Sequence, residues 1–514
     1  MFAMNSLLMC DTYKTSHIDQ YPESLCKLYS YWVPRKTMFE TLPINKMAFF
    51  GLQAFVKEFL IDHMQDNFFC RNWKAIEESY RKYMNLQLGE GNYKVDHIRA
   101  LHELGYLPLE IKAVPEGTLI PMGVPAIEVT NTHEDFAWVV QWIECIFQAE
   151  LWKTCNHATI GKMYYDVAKK WYDDTTDGVD PRMACSDFGF RGMSCTNEAM
   201  RCSAAWLLSF NKTSTIPALP YIDQYYHADC SFNHIGIGAL STEHSVVGAN
   251  FAFDGDERTF LRRMLTEIYP NASFSFVSDT YDYWNVVDNI IPSLKDEILA
   301  HNGKLLVRPD SGDMEDIATR TVVKLWDTFG GTVNKKGYKV LDPHIGIIYG
   351  EGCTLKNIEK IWKNLKKLGF ASNNILFGVG AWPFAATFDG DKCRVNTRDL
   401  FGLAMKATNG VFGKTFDDGT VDKSMNVCRE IPIFKDPKTD TNKLKKSHKG
   451  AINVYYNADG NLVAEDGLTV LGKKTLEANV RKNGTAFRTV FVDGKCVDKD
   501  TFTDIRNRLA KEVM

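Results

Sequence analysis

The chain has 514 residues, of which 45% are hydrophobic and 24% are charged, and its formal net charge is −4. A chain of this length can bury large cores and is expected to hold about two domains. The slightly negative charge excludes recruitment of nucleic acid by a global basic field. No apolar run reaches the roughly 18 residues of a membrane span, so no membrane partner is expected.

The N-terminus and the cysteines predict a cytoplasmic protein. Residues 1–10 lack a basic stretch ahead of their apolar residues, which is atypical of a secretory signal peptide. The 13 cysteines are scattered without a Cys-x-x-Cys pair. This pattern is typical of reduced thiols in the cytosol, and it argues against a structural zinc site.

Residues 1–180 are predicted to form the N-terminal segment of a mixed α and β domain. Asp11 opens a polar stretch that also holds Tyr13, and a helix cap is the simplest role for Asp11. Periodicity predicts, in chain order, a strand at 28–33, helices at 50–64 and 73–86, two strands within 109–120, a strand ending at Val129 and a long helix within 134–172.

Residues 181–390 are predicted to form an α/β barrel. Six short runs, several of them apolar, end in Gly, Asp, Arg, Glu or His and alternate with helical patterns, at 187–192, 240–245, 274–279, 305–313, 345–352 and 375–381. Ligands of parallel α/β folds bind at the carboxyl ends of strands, so these ends are expected to form the rim of a site. Lys212–Thr215 reads as a polar turn that faces either the pocket or solvent.

Residues 391–514 are predicted to return to the domain that the N-terminal segment begins, so that one domain flanks the barrel. Hairpins are predicted across Asp459-Gly460 and Asp493-Gly494, and a terminal helix is predicted at 505–513.

Two rim stretches carry residues typical of catalysis. His244 follows Glu243, and a histidine oriented by a carboxylate acts as a base or a nucleophile, although a lone histidine is more often structural. Arg308 and Asp310 follow an apolar run. They either line an active site or form a structural pair that caps the next helix.

Other residues suit a ligand with a phosphate and a flat ring. Gly350 and Gly380 lie in Gly-x-Gly pairs on consecutive rims, where backbone N–H groups can bind phosphate. Phe188 and Tyr13 can stack on a heterocycle, and Arg308 can donate two hydrogen bonds to an amide or carboxylate on it. The set indicates a nucleotide-forming or nucleotide-binding enzyme.

Ordered motifs over most of the chain resemble the nicotinamide phosphoribosyltransferases, within the nicotinate/quinolinate group of type II phosphoribosyltransferases. The motifs are residues 11–14, 20–22, 110–117, 187–192, 243–245, 277–282, 308–312, 397–399 and 434–437. The resemblance implies an irregular α/β barrel with a flanking, mostly β domain built from N- and C-terminal segments. It also implies a homodimer whose active sites are shared between subunits.

The resemblance further implies a reaction of NAD biosynthesis. The ring nitrogen of nicotinamide would join C1 of phosphoribosyl pyrophosphate and release pyrophosphate, with Mg²⁺ on the pyrophosphate groups. ATP would be a co-substrate, because the family phosphorylates the histidine that matches His244, with Glu243 orienting it. The ligands of the metal stay open.

The implied catalytic residues are His244, Glu243, Asp310 and Asp279. The implied substrate-binding residues are Phe188, Tyr13, Arg308, Ser214, Asp11, Arg191, Gly350, Glu351, Gly380, Ala381, Arg398 and Lys406. Phe188 and Tyr13 of the partner subunit would sandwich the ring, with Arg308 on its carbonyl side. Arg191, with Arg398 and Lys406 of the partner subunit, would hold phosphate groups, and the Gly350 and Gly380 loops would line the 5′-phosphate.

Three positions depart from the family pattern. Ser214 replaces the Asp of nicotinamide-preferring members, which keeps nicotinate phosphoribosyltransferase as the alternative reaction. Glu351 replaces the usual Asp, and Gly346 stands where some members carry an Arg. The competing class is a non-catalytic, nucleotide-binding relative, and intact His244 and Arg308 argue against it.

Overall fold

The computed structural model describes residues 4–424, 426–441, 445–471 and 475–514, so residues 1–3 of the N-terminal stretch lie outside it. The chain divides into two compact units, Met1–Asn156 with Thr397–Met514, and His157–Asn396. The first border lies inside the helix Glu144–Thr175. The sequence analysis placed this border after the helix, because a helical pattern gives no sign of which unit each turn contacts.

The second unit is built on a seven-stranded parallel sheet. Its strands are Cys185–Asp187 (β1), Lys212–Thr213 (β2), Leu240–Ser241 (β3), Phe274–Val277 (β4), Leu305–Arg308 (β5), Ile345–Tyr349 (β6) and Ile375–Val379 (β7). Their order across the sheet is β2-β1-β7-β6-β5-β4-β3. Ile237 bridges to Lys212 of β2, while β3 pairs with β4. The segment 237–241 therefore links both edges and curls the sheet, which confirms the predicted α/β barrel type of fold.

Strand β2 is the one that the sequence analysis missed. Lys212 and Thr213 pair with Ser186 and Asp187 of β1. Neither residue of β2 is apolar and only two residues pair, so neither composition nor length signalled a strand.

Helices follow most of these strands. The main ones are Thr196–Trp206 (α1), Ala218–Tyr226 (α2), His244–Asp254 (α3), Glu257–Arg263 (α4), Lys295–Ala300 (α5), Met314–Phe329 (α6) and Leu355–Lys367 (α7). Outward strand residues meet them, as the Phe377 ring of β7 does at 5.2 Å from the Trp362 ring of α7. Asp313 caps α6 by accepting from the Asp316 N–H. The cap is therefore not the Arg308–Asp310 pair, which stays on the rim.

The first unit holds a seven-stranded antiparallel sheet. In order across the sheet its strands are Arg429–Pro432, Ala404–Phe412, Leu25–Val33, Ile127–Asn131, Leu109–Ala113, Arg488–Val492 and Lys495–Cys496. Three strands from the N-terminal part of the chain form its centre, and two strands from the C-terminal part flank them on each side, which confirms a flanking domain made from N- and C-terminal segments. Both predicted hairpins are present.

The larger helices of the first unit are Trp73–Leu88, Asp96–Leu104, Leu476–Asn483 and Phe502–Lys511, together with the start of Glu144–Thr175. Within the described ranges, no helix combines the length and the apolar character that a membrane crossing would need.

A buried carboxylate fixes the loops after β1 and β2. Asp187 is fully buried. One carboxylate oxygen accepts from the Gly189 N–H at 2.7 Å. The other accepts from the hydroxyls of Thr213 at 2.7 Å, Thr215 at 2.8 Å and Ser203 of α1. A buried charge is stable only when its acceptor sites are satisfied in this way.

Removal of this carboxylate is expected to lower stability strongly. Asp187→Ala leaves a buried N–H and three buried hydroxyls without their acceptor, at about 1–3 kcal/mol for each group that finds no new partner. Asp187→Asn should cost less, because the hydroxyls can rotate to meet the amide. The check is the urea midpoint of both variants, with Asp327→Asn on the exposed side of α6 as the matched control. Equal midpoints for Asp187→Ala and the control would contradict the role of this network.

Candidate active site

Phe188 follows β1, and its ring lies against β7. The Phe188 N–H donates to the Val379 carbonyl at 2.8 Å, which extends the ladder between the two strands. A Cβ atom on Gly378 would overlap the Phe188 ring. Glycine at 378 therefore makes room for an aromatic ring inside a strand.

Arg308 ends β5 and is held by two fixed acceptors. Its Nη1 donates to Ser241 Oγ at 2.5 Å, and its Nη2 donates to the Thr242 carbonyl at 2.9 Å. Its Nε faces Asp310 Oδ2 at 3.3 Å. Since a guanidinium has five N–H groups, one on each Nη remains for a ligand acceptor. The contacts hold the plane of the guanidinium before any ligand arrives.

His244 is the first residue of α3, and its imidazole side chain is 52% exposed. Its Nδ1 lies 3.1 Å from Thr280 Oγ1, and its Nε2 lies 4.0 Å from Asp279 Oδ1. That Asp279 oxygen is buried and has no hydrogen-bond partner among the described residues. The other oxygen accepts from the Asp310 N–H at 3.1 Å and the Ser311 hydroxyl at 2.5 Å. Asp279 thus directs a carboxylate oxygen towards Nε2 of the imidazole, the ring nitrogen that Thr280 does not contact.

Glu243 does not orient His244 in the way the sequence analysis expected. It precedes α3 with an extended backbone, and its carboxylate accepts from the Ser245 hydroxyl. Thr280, which follows Asp279 in the loop after β4, contacts the ring instead. Here the helix begins at His244, and the Glu243 side chain turns to Ser245 instead of to the imidazole.

Asp310 lies between Arg308 and the loop after β6. A Cβ atom on Gly350 would clash with Asp310 Oδ1, so glycine lets the carboxylate approach that backbone. Burial raises the pKa of the Asp310 carboxyl, and the neighbouring Arg308 guanidinium opposes this shift. The Asp310 carboxylate therefore lies on the outer cavity, where it can accept from a hydroxyl of a ligand or bind a cation.

Two cavities meet at Phe188, Arg191 and Arg308, each of which lines both. The inner cavity, of about 450 Å³, enters the barrel and includes Ser214. The outer cavity, of about 590 Å³, is lined further by His244, Asp310, Gly350, Glu351, Gly380 and Ala381. Both volumes fall in the range of small-molecule sites. The structure thus brings together most of the predicted residues of the second unit; Asp279 lies beside His244 and Asp310, and Glu243 lines neither cavity.

The predicted residues Asp11, Tyr13 and Arg398 belong to the first unit. They line one cavity there, of about 480 Å³, together with Glu144. The Cys145 thiol donates to Asp11 Oδ2 at 3.2 Å, and among the described residues Asp11 makes no side-chain bond that caps the helix after it. The simpler prediction of a helix cap at Asp11 is therefore wrong.

Lys406 lies in the strand Ala404–Phe412 of the same unit. Burial lowers the pKa of its ammonium group; Glu144 opposes the shift, and nearby cations including Arg398 add to it. An anionic ligand would stabilise the charged form of Lys406 and offset the nearby positive charge.

No three His, Cys, Asp or Glu side chains in the described part of the chain are arranged to hold a metal ion. Mg²⁺ commonly binds through one or two carboxylates together with substrate phosphates. The carboxylates of Asp310 and Glu351 on the outer cavity suit that mode, in which the substrate brings most of the ligands.

Sequence reasoning missed the residues that position the site. Asp187 was noted only as part of a rim stretch, and Thr280, Ser241 and Thr242 were given no role. Each lies one to three residues from a predicted site residue, and this closeness in sequence was the one sign that it contributes to the site. Their roles depend on which strands become neighbours, which no single stretch reveals.

Comparisons with known proteins agree with this geometry. The nicotinate phosphoribosyltransferase (NAPRTase) family model matches residues 183–493, and the model of the nicotinamide phosphoribosyltransferase N-terminal domain matches residues 5–110. A nicotinamide phosphoribosyltransferase of Acinetobacter baylyi is 35% identical, over 100% of this chain and 98% of its own length. One of Mycoplasma genitalium is 32% identical, over 87% of this chain and 95% of its own length.

Two solved structures share the fold at low identity. The nicotinate-nucleotide pyrophosphorylase of Pyrococcus furiosus has a TM-score of 0.57 at 13% identity, over 99% of this chain and 95% of its own. Human nicotinic acid phosphoribosyltransferase has a TM-score of 0.53 at 14% identity, over 98% of this chain and 93% of its own. With the family match and the full-length relative, these findings place the chain in the nicotinate phosphoribosyltransferase (NAPRTase) family of pentosyltransferases.

Proposed function

We propose that the protein transfers the phosphoribosyl group of phosphoribosyl pyrophosphate to nicotinamide, giving nicotinamide mononucleotide and pyrophosphate. The names of its full-length relatives support nicotinamide as the acceptor. The observation that carries the proposal is the junction of the two cavities. There an aromatic face and a fixed guanidinium adjoin a cavity lined by glycines, His244 and Asp310.

The chemistry follows from this placement. The ring nitrogen of nicotinamide attacks C1 of the ribose, and the bond from C1 to the pyrophosphate oxygen breaks. Phe188 stacks on the ring and Arg308 donates to the amide oxygen, which aligns the nitrogen with C1. Arg191 offsets the charge of the departing pyrophosphate. Asp310 and Glu351 would hold a Mg²⁺ ion that accompanies the pyrophosphate, and such an ion would neutralise part of the pyrophosphate charge.

We further propose that ATP phosphorylates His244. His244 lines the outer cavity, and its Nδ1 contacts Thr280 Oγ1. If Nδ1 carries the proton and donates it to Thr280, the Nε2 lone pair attacks the γ-phosphorus, the bond from that phosphorus to the ADP oxygen breaks, and ADP leaves. The position of His244 at the start of an 11-residue helix favours the phosphoryl product, since helix N-termini stabilise anions.

ATP labelled in its γ-phosphate should therefore label the protein, with an acid-labile and base-stable bond. His244→Ala should abolish the label and ATP hydrolysis and lower synthesis without abolishing it, because the ring nitrogen itself attacks C1. His133→Ala, at an exposed histidine of the other unit, is the control. Label that persists in His244→Ala would contradict the assignment.

The proposal includes a homodimer with shared sites. Tyr13 and Arg398 line one cavity of the first unit, and Tyr13 is 55% exposed although it is a large aromatic residue. An exposed ring beside the half-exposed Arg398 guanidinium suits a surface that completes the site of another subunit.

Mixing Arg398→Ala chains with His244→Ala chains tests this arrangement. Heterodimers would contain one site with both groups intact, so an equal mixture should recover about a quarter of the ATP-stimulated activity for a twofold-symmetric dimer. Native mass spectrometry should follow the exchange. Activity that stays at the level of the unmixed variants after exchange would exclude shared sites.

A second reaction, with nicotinate, is favoured by Ser214. Its N–H donates to the Asp187 carbonyl at 2.8 Å, and its side chain lines the inner cavity. A Ser hydroxyl can accept from an amide or donate to a carboxylate, whereas an Asp would accept from the amide and repel the carboxylate.

Product formation with phosphoribosyl pyrophosphate and each pyridine tests the proposed function. We expect nicotinamide to be preferred and nicotinate to be used measurably. Ser214→Asp should sharpen the preference for nicotinamide by roughly 10-fold in kcat/KM, the difference between a charged and a neutral hydrogen bond. Ser214→Ala is the control that removes the hydroxyl without adding charge. Nicotinate preferred outright would move the protein to the second reaction, and no product from either would overturn both.

A further inference from the structure

The inner cavity is lined by one cationic residue, Lys212, that has no role in the proposed reaction. Of the described residues that line it, Arg191, Lys212 and Arg308 are charged, and none is an Asp or a Glu. Arg308 is already held by Ser241 and by the Asp310 carboxylate. The Lys212 ammonium group has no ion pair or hydrogen bond within the described part of the chain.

The strand β2 directs Lys212 into the cavity. Successive side chains of a strand point to opposite faces. The Thr213 hydroxyl donates to the buried Asp187, so Lys212 and Ser214 share the other face, and both line the inner cavity. Their Cα atoms are roughly 6.6 Å apart along the strand. A ring that reaches Ser214 therefore brings its substituents close to the Lys212 side chain.

A second lysine reinforces the charge. Burial lowers the pKa of Lys212, and repulsion from Lys304 lowers it further. Lys304 immediately precedes β5, and its Nζ lies 4.0 Å from the position that a Cβ on Gly346 would take. The Lys212 ammonium group is partly removed from water and repelled by Lys304, whose own charge Asp342 offsets in part, and an anion bound beside Lys212 would relieve this cost.

We propose that Lys212 forms an anion subsite in the inner cavity that pairs with the carboxylate of a pyridine carboxylic acid. The placement of the ring on Phe188 rests on the proposed function. In this subsite Lys212 binds the carboxylate of nicotinate, whereas Arg308 and Ser214 bind the neutral amide of nicotinamide.

The test compares Lys212→Gln, Lys212→Arg and the wild type, with Lys363→Gln on an exposed position of α7 as control. Values of kcat/KM are measured for nicotinate and for nicotinamide with phosphoribosyl pyrophosphate. Lys212→Gln should lower the value for nicotinate by about 10-fold or more and change that for nicotinamide by less than about 3-fold, as expected for loss of a charged hydrogen bond. Lys212→Arg should retain most of the nicotinate activity.

Calorimetric binding of nicotinate to the protein without phosphoribosyl pyrophosphate gives a second readout. It should weaken by a similar factor in Lys212→Gln, with a thermal midpoint no lower than that of the wild type, because the substitution removes a partly desolvated charge. If the wild type turns over neither pyridine, the proposed function fails, and this binding experiment still tests the subsite. Equal losses for both pyridines, or an unchanged nicotinate affinity in Lys212→Gln, would overturn the subsite.

Discussion

The buried carboxylate of Asp187 is the interaction on which the inner cavity depends. Its oxygens accept from the loop after β1, from β2 and its following loop, and from α1. Phe188 is the next residue, and Ser214 is tied to the Asp187 carbonyl. One charge that must be satisfied inside the protein therefore fixes the aromatic face and the polar residue opposite it. Preorganisation of this kind lets binding energy align a substrate instead of ordering the loops.

Glycines, which have no side chain, allow the close contacts that shape the rest of the site. Gly378 admits the Phe188 ring, Gly350 admits the Asp310 carboxylate, and a Cβ on Gly192 would collide with Ala381. The first two approaches let a functional group lie against backbone at the carboxyl end of a strand. The inner cavity is lined by small residues such as Ser186 and Ser275 together with bulky ones such as Leu306 and Ile348.

Much of this architecture was predictable from the sequence. Apolar runs that end in Gly, Asp or Arg located strands such as β5 and β6, since buried parallel strands need apolar residues and their ends need turn residues. The sequence did not reveal β2, because its polar residues are held by pairing with β1. It also misjudged Glu243, because adjacency in the sequence does not show which way a side chain leaves the start of a helix.

The central claim is that a pyridine binds where the Phe188 ring meets Arg308. A crystal structure of the protein with nicotinamide tests it most directly. The account predicts the pyridine ring stacked on Phe188, with its amide oxygen within hydrogen-bond distance of an Arg308 Nη atom. Nicotinamide bound elsewhere, with the inner cavity unoccupied, would contradict the account.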